Sequence, residues 1–168
     1  MRSDIEHKQE APHSVRCFVI TVSDTRTEET DNSGRAIADL LASAGHEVVG
    51  HIIVQDDATL VRSTFERQLA SLDVDVIIST GGTGVTSRDT TFEVVDALLE
   101  KRLSGFGELF RMLSYQEIGS AAMMSRATAG LAAGHIVIAL PGSVAAVQFA
   151  MEKLVLPELG HLAQQARK

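Results

Sequence analysis

Two carboxylates and one glycine-rich segment carry the chemistry most readily read from this chain. Asp56 follows the apolar run Val48–Val54, and Asp89 ends the segment Thr80-Gly81-Gly82-Thr83-Gly84-Val85-Thr86-Ser87-Arg88-Asp89 that follows the run Val74–Thr80. Paired carboxylates together with phosphate oxygens make an oxygen-rich Mg2+ site. Glycines at 81, 82 and 84 let the backbone approach a ligand closely and take positive φ. Successive N–H groups in such a turn form an anion-binding nest. Arg88 adds a planar guanidinium suited to bidentate phosphate contact. Thr90-Thr91-Phe92-Glu93 then fits a capping box, opening a helix whose positive end faces the same place. Ser23-Asp24-Thr25-Arg26 and Pro141-Gly142-Ser143 follow two further apolar runs. Each feature also has a plainer reading. The glycines make a tight turn, Asp57 is a better helix cap than Asp56, Asp24 is a turn residue, and Ser143 is an N-cap. Strand, glycine loop, Arg-Asp pair and capped helix in one stretch favour a phosphate-bearing ligand.

Other chemistries lack their residues. The lone Cys17 excludes a disulfide framework, Zn–Cys motifs and CxxC redox chemistry, and its apolar neighbours place it in the core. Six histidines, at 7, 13, 46, 51, 135 and 161, form no HExxH and give Ser143 no local base, and no GxSxG elbow exists. The GxxxxGK[ST] loop is missing, no GxGxxG occurs, and Gly105-Phe106-Gly107 follows a helix and not a strand. Lys8, Lys101, Lys153 and Lys168 all lie outside the glycine segment, which disfavours a lysine–AMP intermediate. Met123 and Met124 read as packing residues. Fifteen Lys+Arg against 22 Asp+Glu leave a net charge of −7, and aromatics are 4% of the chain. That balance disfavours nucleic acid and anionic membranes, which need a broad basic face. It leaves room for a small phosphate site built from N–H groups, an arginine and a metal.

These residues need elements to hold them. At 168 residues the chain suits one domain. Residues 1–14 read as a flexible arm and residues 15–168 as the domain. The runs Val15–Val22, Val48–Val54, Val74–Thr80 and His135–Leu140 are rich in β-branched residues, and three of them contain nearly continuous apolar stretches, as strands covered on both faces do. Helical periodicity lies between them at 32–45, where Gly45 stops the helix, at 58–71, at 106–118, and from Ser143 past Leu154, with Pro157 ending or kinking the last. Alternation of this kind predicts a single compact α/β domain with a mostly parallel, doubly wound sheet and helices on both faces. Ligands then sit outside the carboxyl ends of the strands, where the candidate residues fall. No apolar run approaches 18 residues and the N-terminus has no apolar h-region, so a cytoplasmic protein is expected.

The segments TGGTGVTSRDTTFE (Thr80–Glu93), SGFGELFRMLSYQEIGSAAMMSR (Ser104–Arg126) and ALPGS (Ala139–Ser143), with VSDTR (Val22–Arg26) and DNSG (Asp31–Gly34) before them, resemble the molybdenum cofactor biosynthesis protein B and Mog family. The resemblance spans residues 15–165 in order and spacing. It implies a homo-oligomer, trimeric or hexameric, that takes ATP and molybdopterin as substrates. Active members transfer AMP from Mg-ATP to the terminal phosphate of molybdopterin and release pyrophosphate, and the product passes to a metal-insertion protein. Other members bind without turnover, so a molybdopterin-binding or assembly protein is the alternative. The family's essential acids map onto Asp56 and Asp89, expected to hold Mg2+. Its glycine loop maps onto Thr80, Gly81, Gly82, Thr83 and Gly84, and its second loop onto Pro141, Gly142 and Ser143, with Ser23 and Arg88 beside them. Glu108 and Arg111 line the pterin, meet a neighbouring subunit, or form an i,i+3 pair on the helix surface.

Overall fold

A computed structural model describes residues 11–168. The sheet has six strands: β1 Arg16–Val22, β2 Glu47–Val54, β3 Val76–Thr80, β4 Lys101–Arg102, β5 Thr128–Ala132 and β6 His135–Leu140. Their order is β2-β1-β3-β6-β5-β4. The pairs β1–β2, β1–β3 and β3–β6 are parallel. The pairs β5–β6 and β4–β5 are antiparallel. Every residue of β3 and β6 is buried, as expected for central strands covered on both faces.

Among the described residues six α-helices flank the sheet: α1 Asn32–Ser43, α2 Ala58–Leu69, α3 Thr91–Leu98, α4 Ser104–Ile118, α5 Val144–Ala150 and α6 Leu156–Ala166. Ile37 and Leu41 of α1, Phe110 of α4, Val147 of α5 and Leu159 of α6 share one core layer. Val61 and Phe65 of α2 and Val94 and Val95 of α3 form the other, on the opposite face. The doubly wound expectation is met. Gly45, at φ +86, ends α1: its N–H reaches Ala42 and the N–H of His46 reaches Leu41, a Schellman closure.

Three expectations change. The sequence reading has no strand at β4 or β5, and these two add an antiparallel edge. Pro157, expected to end or kink the last helix, does not end the helical stretch. The residues Met151–Val155 widen into a π-turn and α6 restarts with Pro157 in its first turn, where a missing N–H costs nothing. Met123 and Met124 do not pack inside: they are 77% and 55% exposed, on the 3-10 turn Gly119–Met124 that follows α4. Of the arm expected over 1–14, residues 1–10 lie outside the described residues. Pro12 runs against Gly160, where an added Cβ would stand 2.6 Å from the Pro12 carbonyl.

The sheet topology selects a place for a ligand. From β1 the chain crosses to β2 on one side, then returns to β3 on the other. Outside the carboxyl ends of β1 and β3 the loops therefore part, leaving a crevice. Register brings the neighbouring ends level: Val22 pairs with Val54, Thr21 with Thr80, and Thr80 with Leu140.

Candidate functional site

Four loops meet at this rim. After β1, the Ser23 hydroxyl accepts the N–H groups of Thr25 and Arg26, which folds the chain into a turn. That turn presents Asp24, whose Oδ1 accepts the Asp56 N–H at 3.1 Å. The Asp24 carboxylate also pairs with Arg88 from the glycine loop. The Arg88 guanidinium, and after it the Asp56 N–H, hold the Asp24 carboxyl below its ordinary range. Arg88 is thus tethered across the crevice, with its side chain still 71% exposed.

After β2, the two adjacent acids divide the work. Asp57 caps α2, its Oδ1 accepting the N–H groups of Thr59 and Leu60, both at 3.0 Å. Asp56 is left for the rim. Its Oδ1 accepts the Thr90 hydroxyl at 2.8 Å and the Thr90 N–H at 3.3 Å. Here the capping box expected at Thr90–Glu93 is corrected. Thr90 does cap α3 by position, but its side chain makes no cap bond because the hydroxyl is given to Asp56. Glu93 turns to Arg126.

After β3, Gly81 and Gly82 take φ +93 and +69, and Gly82 leaves no room for a side chain. A Cβ there would strike the Thr91 hydroxyl and stand 3.2 Å from Asp56 Oδ2. Thr91 is fully buried and its hydroxyl has no partner among the described residues. Asp89 closes the loop onto itself, its Oδ2 accepting the Thr86 hydroxyl at 2.6 Å and the Thr86 N–H at 2.9 Å. The Thr86 hydroxyl, outweighing burial, and the N–H groups of Thr86 and Gly84 hold the Asp89 carboxyl below its ordinary range. It is ionised at neutral pH. Gly84 is needed for this closure, since a Cβ would lie 2.6 Å from Asp89 Oδ2.

After β6, the Thr80 hydroxyl donates to the Pro141 carbonyl at 2.8 Å and the Gly81 N–H to the Leu140 carbonyl at 3.1 Å. Gly142 packs on Gly81, where its added Cβ would be 3.4 Å from the Gly81 Cα. Thr80 and Thr83 are buried beneath the rim. Ser143 caps α5, accepting the Ala146 N–H at 3.2 Å. It also borders a cavity of about 330 Å³ between α4 and α5 that includes Ser114, Glu117 and Phe149. Asp56, Asp89 and the glycine loop are therefore one cluster. Ser143 belongs to the adjoining loop and faces the cavity beside it.

Arg126 is the rim residue that motif reasoning did not single out. It reaches the glycine loop from 43 residues away, with Nε on the Thr83 carbonyl at 3.3 Å. Nothing local in the sequence signals that contact. Arg111 lies over Gly107 and reaches the Ser125 carbonyl at 3.5 Å. Among the described residues no ion pair joins it to Glu108, so the helix-surface pairing is not formed.

The residues present suit a divalent oxygen-seeking cation. Asp56 Oδ2 stands against Gly82 and receives no hydrogen bond from the described residues, and the ionised Asp89 stands against Gly84 of the same glycine loop. No cluster of three or more His, Cys, Asp or Glu residues forms a cage among the described residues. Two carboxylates without a cage fit Mg2+, which keeps waters and is completed by substrate phosphates. They do not fit a structural zinc site.

A doubly wound sheet with a glycine loop, two carboxylates and helix N-termini at its switch point defines the class: an α/β domain whose candidate site lies where such sheets take their ligands. Comparison with known proteins narrows this. The family profile described as "Probable molybdopterin binding domain" matches residues 18–161. Molybdenum cofactor biosynthesis protein B of Bacillus cereus is 52% identical over 158 residues, covering 94% of each chain. The protein of that name from Bacillus subtilis is 50% identical, covering 97% of this chain and 96% of its own. A crystal structure of molybdenum cofactor biosynthesis protein B is 51% identical with a TM-score of 0.90, covering 94% of this chain and 98% of that one. The tungsten cofactor synthesizing protein MoaB of Pyrococcus furiosus is 40% identical with a TM-score of 0.84, covering 94% of this chain and 100% of its own. The chain belongs to the molybdopterin-binding domain family, alongside the B proteins of molybdenum cofactor biosynthesis.

Proposed function

We propose that this protein works in the cytoplasm in molybdenum cofactor biosynthesis, as a molybdopterin adenylyltransferase. In the reaction, an oxygen of the terminal phosphate of molybdopterin attacks the α-phosphorus of ATP. The bond from that phosphorus to the bridging oxygen breaks, and pyrophosphate leaves with the electron pair. The observation that carries the reading is the pair Asp56 and Asp89, standing against Gly82 and Gly84 of one amide-rich loop.

The nucleophile belongs to the substrate, so the absence of an activated Ser, Cys or Lys at the rim is in keeping with the reaction. What the protein must do is hold two polyanions in line and offset their charge. Asp56 and Asp89 would hold Mg2+, which when bound neutralises phosphate charge. Thr90 fixes Asp56 in place through its hydroxyl and N–H. The N–H groups of the glycine loop and of the Pro141-Gly142-Ser143 turn donate to phosphate oxygens. Arg88, already drawn over the crevice by Asp24, adds a positive charge at its mouth. Assembly as a trimer or hexamer and hand-off to a metal-insertion protein belong to the same proposal.

The deciding experiment mixes the protein with Mg-ATP and molybdopterin and follows adenylated pterin and pyrophosphate. Equimolar formation of both is expected. Retention of the pterin with neither product would sink the enzyme reading in favour of a binding or assembly role. ATP affinity should also depend steeply on Mg2+, and equal affinity with and without it would count against the roles given to Asp56 and Asp89.

A further inference from the structure

We propose that Arg126 is a positioning residue of the glycine loop: by holding two loop carbonyls, it turns the loop's N–H groups toward the face where Asp89 stands. The inference rests on the reading above, in which those N–H groups receive phosphate. Arg126 lies between the 3-10 turn and β5, and its guanidinium bridges two pieces of chain, the glycine loop and the first turn of α3. Nε donates to the Thr83 carbonyl at 3.3 Å and Nη2 to the Gly84 carbonyl. Nη1 and Nη2 both reach the Glu93 carboxylate in the first turn of α3. The guanidinium carbon also lies 4.9 Å from the centre of the Phe92 ring, within cation–π range.

The consequence follows from the planarity of the peptide. In a trans peptide the carbonyl of one residue and the N–H of the next point in opposite directions. Holding the Thr83 carbonyl on Arg126 therefore sends the Gly84 N–H to the opposite face. That N–H does lie against Asp89. Holding the Gly84 carbonyl orients the Val85 N–H in the same way. The loop needs such a restraint, because glycines at 81, 82 and 84 remove the side chains that ordinarily limit peptide rotation. Arg126 is poorly placed to bind substrate itself. Each of its three nitrogens already donates within the protein, its charge is met by Glu93, and its side chain is only 25% exposed. Lysine cannot replace it, since an ammonium lacks the planar fork that spans two carbonyls and a carboxylate.

Amide hydrogen exchange in the ligand-free full chain tests this, with Arg126→Lys and Glu93→Gln compared against the unaltered protein. In Arg126→Lys, exchange at the amides of Gly84 and Thr86 is expected to quicken about tenfold while β3 and β6 keep their protection. Affinity for inorganic pyrophosphate in the presence of Mg2+ should fall by about tenfold, as the loss of one or two aimed donors implies. Glu93→Gln frees the guanidinium from the far side without touching the loop. It should give the same pattern more weakly, which keeps the test decisive even where Arg126→Lys does not fold. Unchanged exchange at Gly84 and Thr86 overturns the proposal. So does quickening spread through β3 and β6, which would mark a general loss of stability. The exchange readout needs no turnover. A chain that never forms adenylated pterin would remove the adenylyltransferase reading and leave the role of Arg126 to be decided at those amides.

Discussion

Asp56 and Asp89 are both acids at strand ends, yet they are held differently, and the difference predicts how each fails. Asp56 keeps Oδ2 clear of protein donors while Thr90 fixes Oδ1. Asp89 is wrapped by Thr86 and Gly84. Asp56→Asn can still accept the Thr90 hydroxyl but loses the charge offered to a metal. It should lower turnover by about 100-fold or more while leaving the melting temperature nearly unchanged. Asp89→Asn should lower turnover by a similar factor and in addition loosen the loop, because its amide accepts the Thr86 hydroxyl more weakly than a carboxylate does. Steady-state kinetics beside a thermal melt checks both, and an Asp56→Asn protein of full activity would remove the metal role. Cys17 offers a contrast at the same scale. Burial pushes its thiol up to about 12, and the residue is fully buried in β1. Only the thiolate reacts, so Cys17 should resist a thiol reagent at pH 8 in the folded protein and react at once in denaturant. Rapid labelling of the native chain would show that β1 opens.

At the scale of the element, the parallel strands were legible and the antiparallel edge was not, for a reason visible in the residues. The four runs read as strands are rich in β-branched residues and became β1, β2, β3 and β6; β3 and β6 are buried throughout, while the edge strand β2 stays partly exposed. The residues TAGLA of β5 offer mostly small side chains and no alternation, and β4 is two residues long. The strand β5 exists because β6 returns antiparallel to it through a two-residue turn, Ala133-Gly134, at φ 49 and 78. Such a turn is usually announced by Asn-Gly, and alanine in left-handed conformation gives no signal. Contact order explains the site residues as well. The capping box at Thr90 was read from neighbours, whereas its real partner Asp56 stands 34 residues earlier. Local patterns did separate the two acids after β2 correctly, because capping is local. Asp57→Ala removes the cap of α2 and should cost about 1 kcal/mol in chemical denaturation. Turnover should be unchanged, since Asp57 faces the helix and not the loop. A large loss of activity in Asp57→Ala would mean that the two carboxylates are not divided between cap and rim as the structure divides them.

Across the whole molecule, function and anchorage occupy opposite ends of the same sheet. The carboxyl ends of the strands carry the candidate site, with the glycine loop, Asp56 and the ionised Asp89. The amino ends are tied by Asp75, which precedes β3 and is 8% exposed. Its carboxylate accepts the Arg16 N–H at 2.9 Å, the Arg16 guanidinium through both oxygens, and Arg167 at 2.7 Å. One side chain thereby joins β1, the sheet centre and the C-terminal end of α6. Burial alone would raise the Asp75 carboxyl, but the hydrogen bonds from Arg16 and Arg167 overcome it and hold it well below the ordinary carboxylate range. A depressed carboxyl stabilises the fold above its unfolded pKa, near 4, and that contribution is lost as pH falls through the folded value. Asp75→Asn should therefore be less stable than the unaltered chain at pH 7, by about 2 kcal/mol for hydrogen bonds to a charged group. The gap should hold down to about pH 4 and narrow as the pH falls further. Denaturation curves between pH 7 and pH 2 check this, and a gap that stayed constant would show that shape, and not charge, secures the amino end. Because Asp75 lies at the far end of the strands from Asp56 and the glycine loop, Mg-ATP affinity at pH 7 should be the same in both proteins. A shared loss of affinity and stability would instead mean that anchorage and site form one cooperative unit.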